Sequence, residues 1–556
     1  MSPAEKNDVR GKGLGGSSAM NVLLWTRPQR EDFDGRPTSV SAIEALGNPG
    51  WNWEKFYHYS KKSEGLARSP INSSCSSRRY RFYSSMPESS SAYKELSQPE
   101  AVGLEGSYSS YNPRSRMTMV DSVGPLSVSF CRTDSGTEFP FQKLSGETSG
   151  TFKSASSIDA TTGNRSYAAT AYLRPALSRP NLKVVTGALV TKIITSKHAE
   201  SVTAQGVEFY HGDAVYRVYA EKEVILCASG IKSPQILELS GIGNSDILIP
   251  LGIPVQVHLP SVGENIQEHI CFTAHHPELR DDPGILTGEM LMKDQGLREK
   301  LRESCHGYEG LLALATTGLS FLPFHTFSER ATFLTKEQKR KVAENVNTYP
   351  PGLREQYDEQ IRLMENPNVP NLEIILYPFI VPGHNIVEKP RVWLLPVLSH
   401  PFSRGTIHIT SSDPKIQPAN DPRYFEEDVD FDILFDGVKF TRKVAETEPF
   451  TNLTTREVQP GPDITTDEQL RDTCGGCSML PQDKGGVVDT NLKARERHPI
   501  CDQVYGTENV RVVDLSVLPL MVAVHTQAIV YGIAEQAADI IKAEYNLTSS
   551  LPGASV

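Results

Sequence analysis

Apolar positions along the chain fall into short clusters separated by polar runs. Ala19 to Trp25 is an apolar run entered from a glycine-rich turn, and Trp51, Trp53, Phe56 and Tyr57 form an aromatic cluster further on. Leu182 to Ile194 and Glu223 to Ala228 are rich in β-branched and apolar residues and predict strands. The second of these runs straight into a helical pattern over Ser233 to Leu239. Lys300 to Lys341 reads as mixed helix and irregular chain, Leu372 to Leu398 as strand material, and Arg404 to Thr410 as another strand. Val510 to Val513 predicts a short strand that leads through a loop into a helix over Ala528 to Ala543. From Ser69 to Tyr111 serine dominates and no period persists, which predicts a long loop or disorder. Strands alternate with helices at both ends around a β-rich middle. That order predicts an α/β cofactor domain assembled from both chain ends and a second, substrate-facing domain.

Composition narrows the class. At 556 residues the chain can hold two or three domains, and 38% apolar with 22% charged residues is globular. A formal charge of −11 excludes the basic field that polyanions need, so no nucleic-acid partner is expected. Eight cysteines are too few and too scattered for a disulfide framework. No apolar run reaches the roughly 18 residues of a membrane span. The start, MSPAEKNDVR, lacks the apolar core of a signal peptide, so the chain as written is expected to be cytoplasmic. Sequons at Asn72, Asn164, Asn452 and Asn546 matter only if relatives are secreted through a leader that this sequence does not show.

Candidate chemistry begins at the glycines. Gly11, Gly13 and Gly16 satisfy G-x-G-x-x-G and Glu31 follows, but the preceding residues are polar where a dinucleotide site needs a buried strand. Cys474 and Cys477 have C-x-x-C spacing without a second ligand pair, and His275-His276 has neither helical spacing nor an accompanying acid. No metal site is expected.

The run Gly11-Lys12-Gly13-Leu14-Gly15-Gly16-Ser17-Ser18-Ala19-Met20-Asn21, followed by Trp25, Pro28 and Asp34, resembles the first signature of the glucose–methanol–choline (GMC) flavin oxidoreductases. Gly47-Asn48-Pro49-Gly50-Trp51, Ser233-Pro234-Gln235-Ile236-Leu237 with Ser240-Gly241-Ile242-Gly243, Val262 to His269, Ser403-Arg404-Gly405 and Val512-Val513-Asp514 are further likenesses in family order. The resemblance implies an α/β fold: a GMC-type FAD-binding domain, Rossmann-like but incomplete, plus a substrate domain with a mostly antiparallel sheet. The implied division is 1–272 for the FAD domain, 273–479 for the substrate domain, and 480–556 returning to the FAD domain. The implied activity is FAD-dependent oxidation of the CH–OH group of a small alcohol, by hydride transfer to flavin N5. His525 matches one of two residues that handle the hydroxyl proton, a role suited to imidazole. Gly15, Gly16, Ser17, Asn21, Val190, Asp514, Gln527 and Ala528 match cofactor-binding positions. The run from Leu480 resembles the branch with glucose and aryl-alcohol oxidases.

Three departures from the family pattern carry expectations of their own. The family's pyrophosphate-binding βαβ unit lies upstream of the Gly-Gly-Ser-Ser segment, and only ten residues precede Gly11, so an N-terminally truncated ADP-binding half is expected. The other proton-handling histidine belongs in a His-x-x-Gly-x-Cys-x-Met segment. Here Cys477-Ser478-Met479 matches its end; in an ungapped comparison Asp472 holds the histidine position, and the preferred reading is that a few residues carrying the histidine are missing between Gly475 and Cys477. Residues 494–503, including His498, read as an insertion. Two rival readings therefore stand beside the oxidoreductase: a flavin-free remnant or scaffold of the same fold, and a non-redox, cyclase-like member.

Overall fold

The computed structural model describes residues 12–28, 30–33, 42–66, 124–130, 150–153, 155–159, 164–198, 201–271, 276–280, 293–297, 318–377, 391–447, 450–459 and 505–547, with a few single positions between these spans. The readings made on residues 69–111, 472–489 and 494–503 lie outside them, as do Gly11 and His275.

Along the chain the strands that frame the site are β1 (Gly150–Lys153), β2 (Ala188–His198), β3 (Ser201–His211), β4 (Ala214–Tyr219), β5 (Val224–Leu226), β6 (Ile270–Cys271), β7 (Gly318–Pro323), β8 (Pro370–Tyr377), β9 (Trp393–Leu398), β10 (Thr406–His408) and β11 (Val510–Val512). The helices are α1 (Trp53–Ser63), α2 (Ser229–Leu239), α3 (Asp428–Ala445) and α4 (Gln527–Glu544).

Side-chain alternation settles β3: Val202 and Ala204 are buried while Ser201, Thr203 and Gln205 lie toward solvent, the period of two that a pleated strand imposes. It joins β2 and β4 in an antiparallel meander, with Ala188 opposite His211 and Gly206 opposite Tyr219. The strand expected from Leu182 starts only at Ala188, because residues 182–187 run exposed and Gly187 turns the chain with φ of 65°.

β5 and β11 pair in parallel, Val224 with Val510 and Leu226 with Val512. The C-terminal part of the chain thus returns to pair with β5 in a two-stranded sheet. Helix α4 then buries Ile529, Ile533 and Ala537 on the side of α1, and Ala528 and Tyr531 against Trp25, Leu126 and Val128. The fit is close: a methyl on Gly532 would stand 2.6 Å from the Phe56 ring. Lys62 joins the helices through Glu535 at 2.9 Å and Asp539 at 2.8 Å. Phe33 stacks on Phe56 with centroids 4.5 Å apart, so the aromatic cluster is core.

A five-stranded antiparallel sheet in the order β6-β9-β8-β7-β1 forms the second layer. The expected strand over Leu372–Leu398 divides into β8 and β9. β8 is buried from Pro370 to Leu376, and among its apolar residues stands Glu373, only 2% exposed. A carboxylate so placed needs a partner.

Where the first layer meets β10, His408 bridges two carboxylates: Nδ1 lies 2.7 Å from Glu238 of α2 and Nε2 lies 3.1 Å from Glu264. Burial pulls the imidazole pKa down, but the hydrogen bonds and charges of the two glutamates outweigh it and raise it to about 9. A histidine pKa raised on folding stabilises fully below the unfolded value of about 6.5 and loses that contribution as pH rises through about 9. Urea unfolding should therefore show the wild type losing about 2–3 kcal/mol more than His408→Gln between those limits. Parallel pH profiles for the two proteins would refute the bridge.

Candidate functional site

Three segments converge. The first is the glycine turn. Gly15 and Gly16 both have positive φ, 91° and 53°, and open a short 3₁₀ turn over Gly16–Ala19, at the entry to the apolar run. The strand itself is only Leu24–Trp25. A side chain on Gly15 would collide with the Tyr167 ring at 2.6 Å, whereas nothing lies within 4 Å of a methyl built on Gly13 or Gly16. Arg165 pins the turn, donating to Asn21 Oδ1 at 2.6 Å, to the Asn21 carbonyl at 2.7 Å and to the Ser18 carbonyl at 3.3 Å. Asn21 Oδ1 also accepts the Leu23 N–H, so its amide NH₂ is the group left for a cofactor. Gly15→Ala should cost about 1–3 kcal/mol in backbone strain and weaken FAD uptake. Unchanged stability and FAD titration would contradict this role for the turn.

The second segment lies at the carboxyl ends of β5 and β11, where open parallel sheets place ligands. A largely apolar cavity of about 340 Å³ runs along β5 and the facing meander, lined by Val190, Val218, Tyr219, Val224, Leu226 and Ala228. Ser229, with φ of 72°, turns the chain into α2. Asp514 secures that turn: Oδ2 accepts the Ser229 N–H at 3.0 Å and the Ser233 hydroxyl at 2.7 Å, while Oδ1 accepts the N–H and hydroxyl of Ser516. With both oxygens so occupied, Asp514 has its main chain to offer a cofactor and its carboxylate holds the site together.

The third segment is the loop before α4. Gln267 donates to the Pro519 carbonyl at 3.0 Å and accepts the Met521 N–H at 3.2 Å. His269 Nε2 lies 2.6 Å from the Val522 carbonyl. Burial, the largest influence on His269, lowers its pKa to about 4, so near neutral pH it is an uncharged N–H donor to that carbonyl. Val522, Ala523 and Val524 are buried. The loop then presents His525, whose Nε2 is 2.8 Å from Glu373 Oε1 of β8. This is the partner that the buried glutamate requires. Gln527 and Ala528 follow at the start of α4, and Gln527 donates to Ser157 Oγ at 3.2 Å. Ser157 in turn bonds the Leu23 carbonyl, which ties α4 to the glycine turn.

Sequence reasoning named His525 and missed Glu373. The available signal was a single charge inside the apolar run Leu372 to Leu376. Gly15, Gly16, Ser17, Asn21, Gln527 and Ala528 share one linked region, and Val190 stands with Asp514 at the sheet end.

The residues present suit a flavin. Gly13 and Gly16 leave open backbone, and Gln527 Oε1 is a buried acceptor without a hydrogen-bond partner among the described residues, ready for a ring N–H. Among the described residues no cluster of His, Cys, Asp and Glu could hold a metal ion, and no helix is long and apolar enough to cross a membrane.

Comparison with known proteins agrees with this architecture. The two family models described as GMC oxidoreductase match residues 7–271 and 401–534. GMC oxidoreductase family protein Mala s 12 of Malassezia sympodialis is 32% identical over 96% of this chain and 79% of its own length. Glucose oxidase of Aspergillus carbonarius is 28% identical over 96% of this chain and 80% of its own. The solved structure of a fungal aryl-alcohol oxidase superposes with a TM-score of 0.75 at 24% identity, covering 97% of this chain and 86% of that one. A GMC fold built from both chain ends, with a glycine turn, a sheet-end cavity and an imidazole loop meeting around space suited to a flavin, places the chain in the GMC oxidoreductase family, with FAD as its cofactor.

Proposed function

We propose that the protein oxidises the CH–OH group of a small alcohol, with His525 receiving the hydroxyl proton. The observation that carries this reading is the Glu373–His525 hydrogen bond, beside Gln527 and the glycine turn. Donation from Nε2 to the carboxylate leaves Nδ1 as a lone pair, the form that can accept a proton. When bound, FAD supplies the acceptor for the hydride leaving the carbinol carbon. The protein's own work is to hold the alcohol oxygen at His525 and to keep the imidazole from swinging away.

On this reading the backbone of Gly15, Gly16 and Ser17, with the Asn21 amide, Gln527 and Ala528, binds the flavin end. The cavity beside Val190 and the Asp514 main chain take the adenosine end. Residues 1–272 with 480–556 then act as the cofactor domain, and 273–479 as the substrate domain. Glucose oxidase and aryl-alcohol oxidase, by their names, act on hydroxylated substrates, which supports an alcohol here.

The test is to incubate the purified chain with FAD, remove unbound cofactor, and add alcohols without oxygen. Retained flavin that an alcohol bleaches supports the reading. Protein that stays colourless would reject it for this chain, and bound flavin that no alcohol bleaches would favour the non-redox alternative.

A further inference from the structure

The loop that carries His525 is gripped by a second buried pair that the proton-handling chemistry does not itself use. Asp32 lies in the short helix Arg30–Phe33, and His400 lies in the connection between β9 and β10. Their side chains are each 1% exposed, and His400 Nε2 stands 2.9 Å from Asp32 Oδ1. The other oxygen, Oδ2, accepts the N–H of Ala523 at 3.1 Å, two residues before His525.

The arrangement is costly. With Nε2–H given to Asp32, His400 Nδ1 is a buried acceptor without a hydrogen-bond partner among the described residues. Apolar residues of the same volume would avoid both the desolvation of the pair and the orphaned nitrogen. They could not bond a loop amide. Asp32 comes from the N-terminal part of the chain and His400 from the part that includes β8, the strand of Glu373. The pair thus spans the two layers between which His525 stands.

We propose that Asp32, oriented by His400, is a positioning residue for His525. The carboxylate fixes the Ala523 amide while His269 fixes the neighbouring Val522 carbonyl, so the imidazole reaches Glu373 in one orientation. This rests on His525 as the proton-handling group for its consequence in turnover, but the geometry it asserts is measurable without turnover.

The experiment uses the full chain labelled with nitrogen-15 at histidine, read by long-range proton–nitrogen correlation, with His525 identified from its disappearance in His525→Gln. In the wild type His525 should show one tautomer, protonated at Nε2. His400→Leu, which cannot donate, should turn this into an averaged two-tautomer pattern, and His400→Gln, which can, should restore it. Asp32→Asn keeps the shape and places an NH₂ against one of the two donors, so it should also lose the single tautomer. It decides the matter if His400→Leu does not fold. Alcohol-driven bleaching in the affected variants should fall about 10- to 100-fold. An unchanged His525 pattern in a folded His400→Leu or Asp32→Asn protein overturns the proposal. If the pattern changes as described but no alcohol bleaches even the wild-type flavin, the positioning role stands and the proposed reaction fails.

Discussion

Alanine at position 525 should slow anaerobic bleaching of the bound flavin by an alcohol about 10²–10⁴-fold, the usual loss when a positioned base is removed. Flavin retention should be little changed, because the proposed flavin-binding groups are the glycine turn and Gln527. Glu373→Gln gives the complementary result. An amide at 373 still accepts from His525 through its oxygen but carries no charge to hold the imidazole, so the loss should be smaller than for alanine at 525. Equal rates in the wild type and His525→Ala would remove His525 from the reaction.

Asp430→Ala should destabilise the fold by about 2–6 kcal/mol, the cost of leaving two buried amide donors unsatisfied at about 1–3 kcal/mol each. Asp430 is fully buried in the first turn of α3 and accepts the N–H groups of Phe402 and Ser403, each at 2.7 Å. Next to them Arg404 donates to the carbonyls of Pro401, Phe402 and Ser403 and to Gln360. Alanine would strand two amides and remove a buried carboxylate that acts electrostatically on the guanidinium. Against a total stability of about 5–15 kcal/mol, that is a large fraction. Chemical unfolding should show it, and the connection that carries His400 should loosen with it. A shift below about 1 kcal/mol would mean that the loop is held by other contacts.

Much of this architecture was legible in the residues. The helix near the C-terminus was expected over Ala528–Ala543 and spans Gln527–Glu544, because its apolar stripe keeps the helical period throughout. The pairing of both chain ends followed from strand–helix alternation, and β5 with β11 carries it out. Other positions take their use from tertiary contacts that the local sequence does not show. Gly15 and Gly16 adopt left-handed conformations that coil the chain before the short strand Leu24–Trp25. Four hydrogen bonds, two of them from the distant Ser229 and Ser233, occupy the Asp514 carboxylate. Glu373 with His525, and Asp32 with His400, are pairs between distant segments. Local sequence marks at most one member, as the lone charge at Glu373 in an apolar run does, and a buried charge is intelligible only once its partner is in place.

The central claim is hydride removal from a carbinol carbon at the site that His525 faces. The direct test is single-turnover bleaching of the FAD-loaded protein by an alcohol and by the same alcohol deuterated at that carbon. The account predicts bleaching with both, several-fold slower with the deuterated alcohol. Bound flavin that neither alcohol bleaches, or that both bleach at the same rate, would contradict it.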